Sequence, residues 1–131
     1  MADEALLRKL GVKQGQRVCV LGAPEGYVAR LGRPGEVAPA PGAGGAFDLV
    51  HLFVRDRSAL RGVSESAITA VRPGGRLWVS YPKRSSKVPT DLTRDAGWEP
   101  LVEAGWVAVT QISVDEVWSA LRFRPAAEVG T

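Results

Sequence analysis

Apolar residues along this chain come in short blocks set apart by glycine and proline, and the repeat within the blocks changes along the sequence. Leu6, Leu7 and Leu10 share one face at helical spacing, with Asp3 placed to cap the helix and Gly11 to close it. The run RVCVL, residues 17–21, predicts a strand that enters the glycine turn LGAPEGY. A short helix over 26–31 ending at Gly32 follows, then a turn at Arg33-Pro34-Gly35 and a brief strand at 36–38. The segment PAPGAGGA, residues 39–46, has no side chain large enough to build a core and is expected to be a connecting loop.

FDLVHLFV, residues 47–54, is almost uninterrupted apolar sequence, the pattern of a strand covered on both faces. Leu60, Val63, Ala67, Ile68 and Val71 then recur at helical spacing after an Asp56 or Ser58 cap, and Pro73-Gly74-Gly75 is expected to end that helix. RLWVSY, 76–81, predicts the next strand, so strand, helix and strand form a right-handed parallel crossover. Within 90–106, Gly97 and Pro100 predict a broken helix, with Pro100 in the first turn of its second half. Two final strands, 107–114 and 117–123, are joined by Asp115-Glu116 alone, a link so short that they must be antiparallel. The pattern as a whole predicts a three-layer α/β domain. Its mixed sheet is mostly parallel and ends in an antiparallel hairpin.

A length of 131 residues is that of one domain, 1–131, able to bury roughly two-thirds of its unfolded surface. Seventeen basic residues among fourteen acidic ones leave a net charge of +3, too mild and too scattered for a dominant nucleic-acid footprint. No run approaches a membrane span of roughly 18 apolar residues, and the start MADEALLRKLG does not read as a secretion signal, so a cytoplasmic location without membrane contact is expected. The one cysteine, Cys19, lies within an apolar strand and reads as core packing. The one histidine, His51, is in mid-strand rather than at the carboxyl end, and reads as a hydrogen-bonded structural residue. With these two residues neither a nucleophilic triad nor a zinc site can be assembled, so no catalytic residue and no metal ligand is assigned.

The order strand, glycine turn, helix, FDLVHLFV, helix, VRPGGRLWVS and terminal hairpin resembles the class I S-adenosylmethionine-dependent methyltransferase fold, which implies a Rossmann-like sheet. In that comparison Phe47-Asp48-Leu49-Val50 is similar to the family's fourth strand, and Arg72-Pro73-Gly74-Gly75-Arg76-Leu77 to the turn before its fifth. LGAPEGY, YPK followed by Thr90-Asp91-Leu92-Thr93, and DEVWSALRF resemble more closely a small bacterial family of uncharacterised, methyltransferase-like domains, which implies the fold and assigns no activity. The resemblance implies S-adenosylmethionine as the cofactor to test, with Gly22, Ala23, Pro24 and Gly26 as its loop and Glu36 on the ribose hydroxyls.

Departures from the active enzymes weaken that reading. Pro24 stands where a glycine is expected and removes an amide donor, Glu36 comes early, and about two strand-helix units that wall the adenine are lacking between Leu31 and Phe47. No Asn-Pro-Pro-Tyr follows FDLVHLFV, as amino methylation would require; Val54-Arg55-Asp56 stands there instead. Glu25 beside the loop would repel a phosphate seeking the helix amides. Gly22 and Gly26 are equally readable as relief of crowding in a tight turn.

A different feature follows the carboxyl end of the strand 76–81, the functional edge of such sheets: YPKRSSKVPT, residues 81–90, carries Lys83, Arg84 and Lys87 among hydroxyl groups. It reads either as a solvated basic loop or as a receiver for an anionic group, with Asp91 opposing the charge. Three readings follow. The preferred one is a non-catalytic binding or interaction module for a small anionic ligand or a protein partner. The second is a reduced S-adenosylmethionine-binding methyltransferase or sensor, and the third an anion- or nucleic-acid-binding module using the 81–90 loop, with nucleic acid the less favoured partner.

Overall fold

The computed structural model describes residues 3–32, 34–39 and 46–129. Its elements are α1 (Glu4–Leu10), β1 (Arg17–Leu21), α2 (Tyr27–Leu31), β2 (Glu36–Ala38), β3 (Phe47–Phe53), α3 (Arg57–Ala70), β4 (Val71–Pro82), α4 (Glu99–Glu103), β5 (Trp106–Ser113) and β6 (Trp118–Pro125), with single 3-10 turns at Arg84–Ser86 and Ala126–Glu128. The strands form one sheet in the order β2-β1-β3-β4-β6-β5. It is parallel from β2 to β4 and antiparallel at β4–β6 and β6–β5.

Every residue of β3 except Asp48 is buried, as its unbroken apolar run requires of a central parallel strand. One layer packs Leu6, Leu10, Tyr27 and Leu31 of α1 and α2 onto Val18, Leu49, Phe53 and Trp78. The other packs Leu60 and Ala67 of α3 and Leu101 of α4 onto Val50, Leu52, Leu77 and Val79. The fold is thus the three-layer, mostly parallel α/β arrangement that the pattern predicts. Cys19 is part of the second layer, and its burial raises the thiol pKa. Trp78, Trp98 and Trp118 are also buried.

Three expectations need correction. The helix over 57–70 does not run to Pro73-Gly74-Gly75: it ends at Ala70, because Val71 is already extended and pairs with Phe47. Residues 72–75 then bulge opposite Asp48 before Arg76 pairs with Leu49. Asp48 fastens the bulge by accepting from Arg72 Nε at 2.6 Å and from Arg17 N at 2.8 Å, and these bonds, the backbone one first, lower its carboxyl pKa. Second, 90–98 is not helical. The Asp91 side chain accepts instead from Arg57 N at 2.8 Å, Thr93 and Ala96 close a turn, and α4 begins only at Glu99 with Pro100 in its first turn. Third, β2 is present, so two strands precede β3; if β3 answers to the fourth strand of the resembled family, one strand rather than two units is lacking among the described residues. The exposed Arg57 pairs with Asp91 and Glu99. Of the connecting loop at 39–46, residues 40–45 lie outside the described residues, as does Arg33 of the preceding turn.

The hairpin between β5 and β6 needs neither glycine nor asparagine because Asp115 Oδ1 accepts from Val117 N at 2.8 Å and Trp118 N at 2.9 Å, mimicking a backbone turn. Arg30 joins this hairpin to the helices: it donates to Asp3 Oδ2 at 2.7 Å and Val114 O at 3.1 Å, and lies 3.9 Å from Asp115 Oδ2. No helix among the described residues is long and apolar enough to cross a membrane.

His51 is wholly buried in β3, with Nδ1 2.5 Å from the Tyr27 hydroxyl and Nε2 2.6 Å from Ser80 Oγ. One ring nitrogen donates and the other accepts, so the ring is neutral, and burial holds its pKa at about 3. An unfolded chain takes up a proton on His51 below about pH 6.5 while the folded one does not. Acidification therefore favours unfolding, and the stability that neutral His51 carries above pH 6.5 is lost as pH falls toward 3. We expect unfolding free energy, measured by urea denaturation, to fall by about 1.4 kcal/mol per unit between pH 6 and 5, before the carboxylates titrate, and this slope to vanish in His51→Gln.

Candidate functional site

In an open parallel sheet the ligand crevice lies beyond the carboxyl ends of the strands where the strand order reverses, here between β1 and β3. Gly22 leaves β1 at that point with φ +73, and a Cβ added to it would meet Phe53 O at 2.8 Å. The glycine is therefore required by the approach of the loop to the β3 backbone. Ala23 packs into the α1–α2 layer, and Pro24 O accepts from Tyr27 N at 3.2 Å. Gly26, with φ +87 and open space around it, serves the turn into α2. Behind the loop, Tyr27 packs edge-on to Phe53, with centroids 4.6 Å apart, and Phe53 edge-on to Trp118 at 5.2 Å. Asp56, the acid nearest this edge after β3, caps α3 by accepting from Ala59 N.

Glu36 is not part of this edge. It is the first residue of β2 and pairs in register with Arg17, the first of β1. Five residues separate Arg17 from Gly22, so Glu36 is about 16 Å from the loop, at the amino end of the strands. Its carboxylate binds Arg17, with Nε and Nη2 both 3.2 Å from Oε2. The assignment of Glu36 to ribose hydroxyls is corrected accordingly: the residues reaching the carboxyl end of β2 are Ala38 and Pro39, neither of which is acidic.

The carboxyl end of β4 has a different character. Tyr81, Lys83, Arg84, Ser85, Thr93, Arg94, Gln111 and Ser119 enclose a cavity of about 380 Å³ whose lining contains three cations and no carboxylate. Lys83 is fixed at both ends, its backbone N–H donating to Val117 O and its Nζ to Ser113 Oγ, each at 2.7 Å. Arg84 opens the 3-10 turn that follows, which Ser86 Oγ stabilises by donating to Lys83 O at 2.6 Å. Arg94 arrives from the far side on the Thr93–Ala96 turn, held by Trp98 Nε1 donating to Thr93 O at 2.8 Å. Burial raises the Tyr81 phenol pKa against the opposing charge of Arg94. Arg94 also borders two adjoining cavities of about 360 and 180 Å³ along β5.

The structure thus brings together two of the three cations singled out in the 81–90 loop. Lys87 is the exception: it is exposed, with φ +67, and does not line the cavity. Arg94, Thr93, Gln111 and Ser119 take part instead. Nothing in their local sequence marks them, since they come from three separate segments. Asp91, expected to oppose the positive charge, is turned to Arg57. Among the described residues no three His, Cys, Asp or Glu side chains are grouped to hold a metal.

No protein-family model matches the chain, and no curated protein matches it by sequence. Solved structures do match. Fibrillarin from Aeropyrum pernix, in complex with natively bound S-adenosyl-L-methionine, superposes with a TM-score of 0.64 at 16% identity, over 94% of this chain and 74% of the other. A SAM-dependent methyltransferase from Aquifex aeolicus gives 0.59 at 14% identity, over 92% and 88%. The ribosomal protein L11 methylase of Lactobacillus delbrueckii subsp. bulgaricus gives 0.59 at 11%, over 94% and 76%. The fold is therefore that of the class I methyltransferases, in a reduced form.

The two loop glycines are expected to differ in cost. Gly26→Ala meets only the left-handed backbone penalty, about 1–2 kcal/mol. Gly22→Ala adds the clash with Phe53 O and is expected to cost at least about 1 kcal/mol more. Urea denaturation of the two variants checks the order, and equal costs would count against close packing as the reason for Gly22.

Proposed function

We propose that this chain is a methyltransferase-like binding module without methyl-transfer activity, which receives the anionic group of a small ligand in the cavity of Lys83, Arg84 and Arg94. The observation that carries this reading is the convergence of three cations and a set of hydroxyls, with no acidic lining, at the functional edge of the sheet. The lining suits binding rather than proton transfer. It holds no imidazole and no carboxylate, burial raises the Tyr81 phenol pKa further above neutral pH, and Lys83 is occupied by Ser113. His51, the chain's one imidazole, is buried between Tyr27 and Ser80 and reaches neither edge.

Serine, threonine, tyrosine and glutamine donors around the cations supply orientation, while the cations supply attraction that salt screens over about 8–10 Å. Pyrophosphate and citrate are suitable probes, with a single-stranded oligonucleotide as a third arm. We expect calorimetry to show binding of a small anion that weakens as salt rises, and a loss of at least about tenfold, or 1.4 kcal/mol, in K83A/R84A/R94A. Equal binding by wild type and variant would refute the reading, and a preference for the oligonucleotide would replace the small ligand with nucleic acid.

The β1–β3 edge supports only weak retention of S-adenosylmethionine, because Pro24 supplies no amide, Gly22 is closed against Phe53 O, and Glu36 is at the other end of its strand. Binding weaker than about 100 μM, or about 5.5 kcal/mol, is expected. Micromolar binding abolished by Gly22→Val would favour the reduced enzyme or sensor instead.

A further inference from the structure

β4 and β6 carry three arginines on the side of the sheet that α1 covers. Side chains alternate along each strand, so Arg76 shares the face of buried Trp78, and Arg122 and Arg124 occupy the same face of β6. Arg122 is directly opposite Trp78, and the pairing of Leu77 with Phe123 puts Arg124 beside Arg76. Opposed positions in an antiparallel pair have Cβ atoms about 4.5–5.5 Å apart and diagonal ones about 7–8 Å, distances at which like charges destabilise the sheet.

Little nearby offsets this charge. Arg124 Nη2 is 3.8 Å from Glu128 Oε1, whereas among the described residues Arg76 and Arg122 have no carboxylate partner. Arg122 Nε is buried and meets no hydrogen-bond acceptor among the described residues. The neighbouring carbonyls of α1 are already engaged: Leu10 O accepts from Trp78 Nε1 at 2.9 Å, and Leu7 O from the amides of Gly11 and Val12. Gly11 leaves room for the Arg76 guanidinium, since a Cβ there would come within 2.6 Å of Arg76 Cζ. Burial, followed by the charges of Arg76 and Arg124, lowers the Arg122 pKa. An N–H that is buried, charged and unmet is the costliest kind to leave without an acceptor.

The geometry points to a phosphate-binding site at Arg76, Arg122 and Arg124, in which the phosphate oxygens accept from the accessible guanidinium N–H groups of the three side chains, each of which is half-buried. Planar forks with five N–H donors each match a tetrahedral oxyanion better than a single carboxylate, which cannot accept from all three. The site is separate from the Lys83 cavity. Arg76 is seven residues before Lys83, about 23 Å along β4, and the cavity is lined by Tyr81, which packs in the α3–α4 layer on the other face.

The test is a titration of the isotopically labelled full chain, following arginine Nε–Hε resonances at constant ionic strength, with inorganic phosphate in one arm and phenyl phosphate in the other. We expect a saturable shift of Arg122 Nε–Hε, a Kd at least tenfold weaker in R76M/R122M, and an unchanged Kd in K83A/R84A/R94A. A response to both ligands, or to phosphate alone, assigns the site to the free ion, and a response to phenyl phosphate alone assigns it to a phosphate ester. The proposal is overturned if Arg122 Nε–Hε does not move saturably, or if R76M/R122M binds as wild type does. Should that double variant fail to fold, R124Q and the wild-type Arg122 resonance decide by the same criteria.

Discussion

A neutral imidazole in the central strand constrains much of this structure. His51 has no route to water, so both ring nitrogens must find partners within the protein, and they find them in Tyr27 and Ser80. Tyr27 must therefore point inward at the first position of α2, which sets the course of the Gly22–Gly26 loop, and Ser80 must face β3, which sets the register of β4. The tyrosine and the imidazole then stack or abut on Phe53, and Phe53 on Trp118, so that one polar contact is sealed by aromatic packing from α2 to β6. A single buried polar residue thereby couples elements that are remote in sequence.

The same packing explains why the two carboxyl-end edges of the sheet differ. At β1–β3 the loop is drawn against the neighbouring strand and its hinge residues are consumed by backbone geometry. At β4–β6 the strands stay paired up to Pro82 and Trp118, and the 83–98 segment beyond them anchors on Ser113, Val117, Arg57 and its own turns. The lining there is cationic because the neighbouring acids are turned elsewhere: Asp91 serves Arg57, and Asp95 lines the adjoining cavities along β5. The cationic cavity is at the carboxyl end of β4, away from the reversal point between β1 and β3.

Local sequence determined the elements where side-chain periodicity and punctuation agree. RVCVL and EVA form strands with the expected bounds, Asp3 and Gly11 cap α1, and FDLVHLFV is central because nothing polar interrupts it except Asp48 and His51. The antiparallel hairpin follows from chain length alone, and fold class from the order of these pieces.

Tertiary structure alone decided which charges meet. Lys83 and Arg84 are adjacent in sequence, but Arg94 joins them only because the Thr93–Ala96 turn folds back, and Lys87 is lost to the site through its backbone conformation. Glu36 read as an early candidate for the ribose hydroxyls, and its pairing with Arg17 puts it at the amino end of the parallel strands, a register set by β1 rather than by the three residues of β2. The helix expected over 90–98 yielded to the bond between the Asp91 side chain and Arg57 N, a partner that the local pattern does not contain, and to the backbone turn of Thr93 and Ala96. Periodicity encodes which face a residue takes; the contacts of long charged side chains depend on distances across the sheet, and those exist only once the chain is folded.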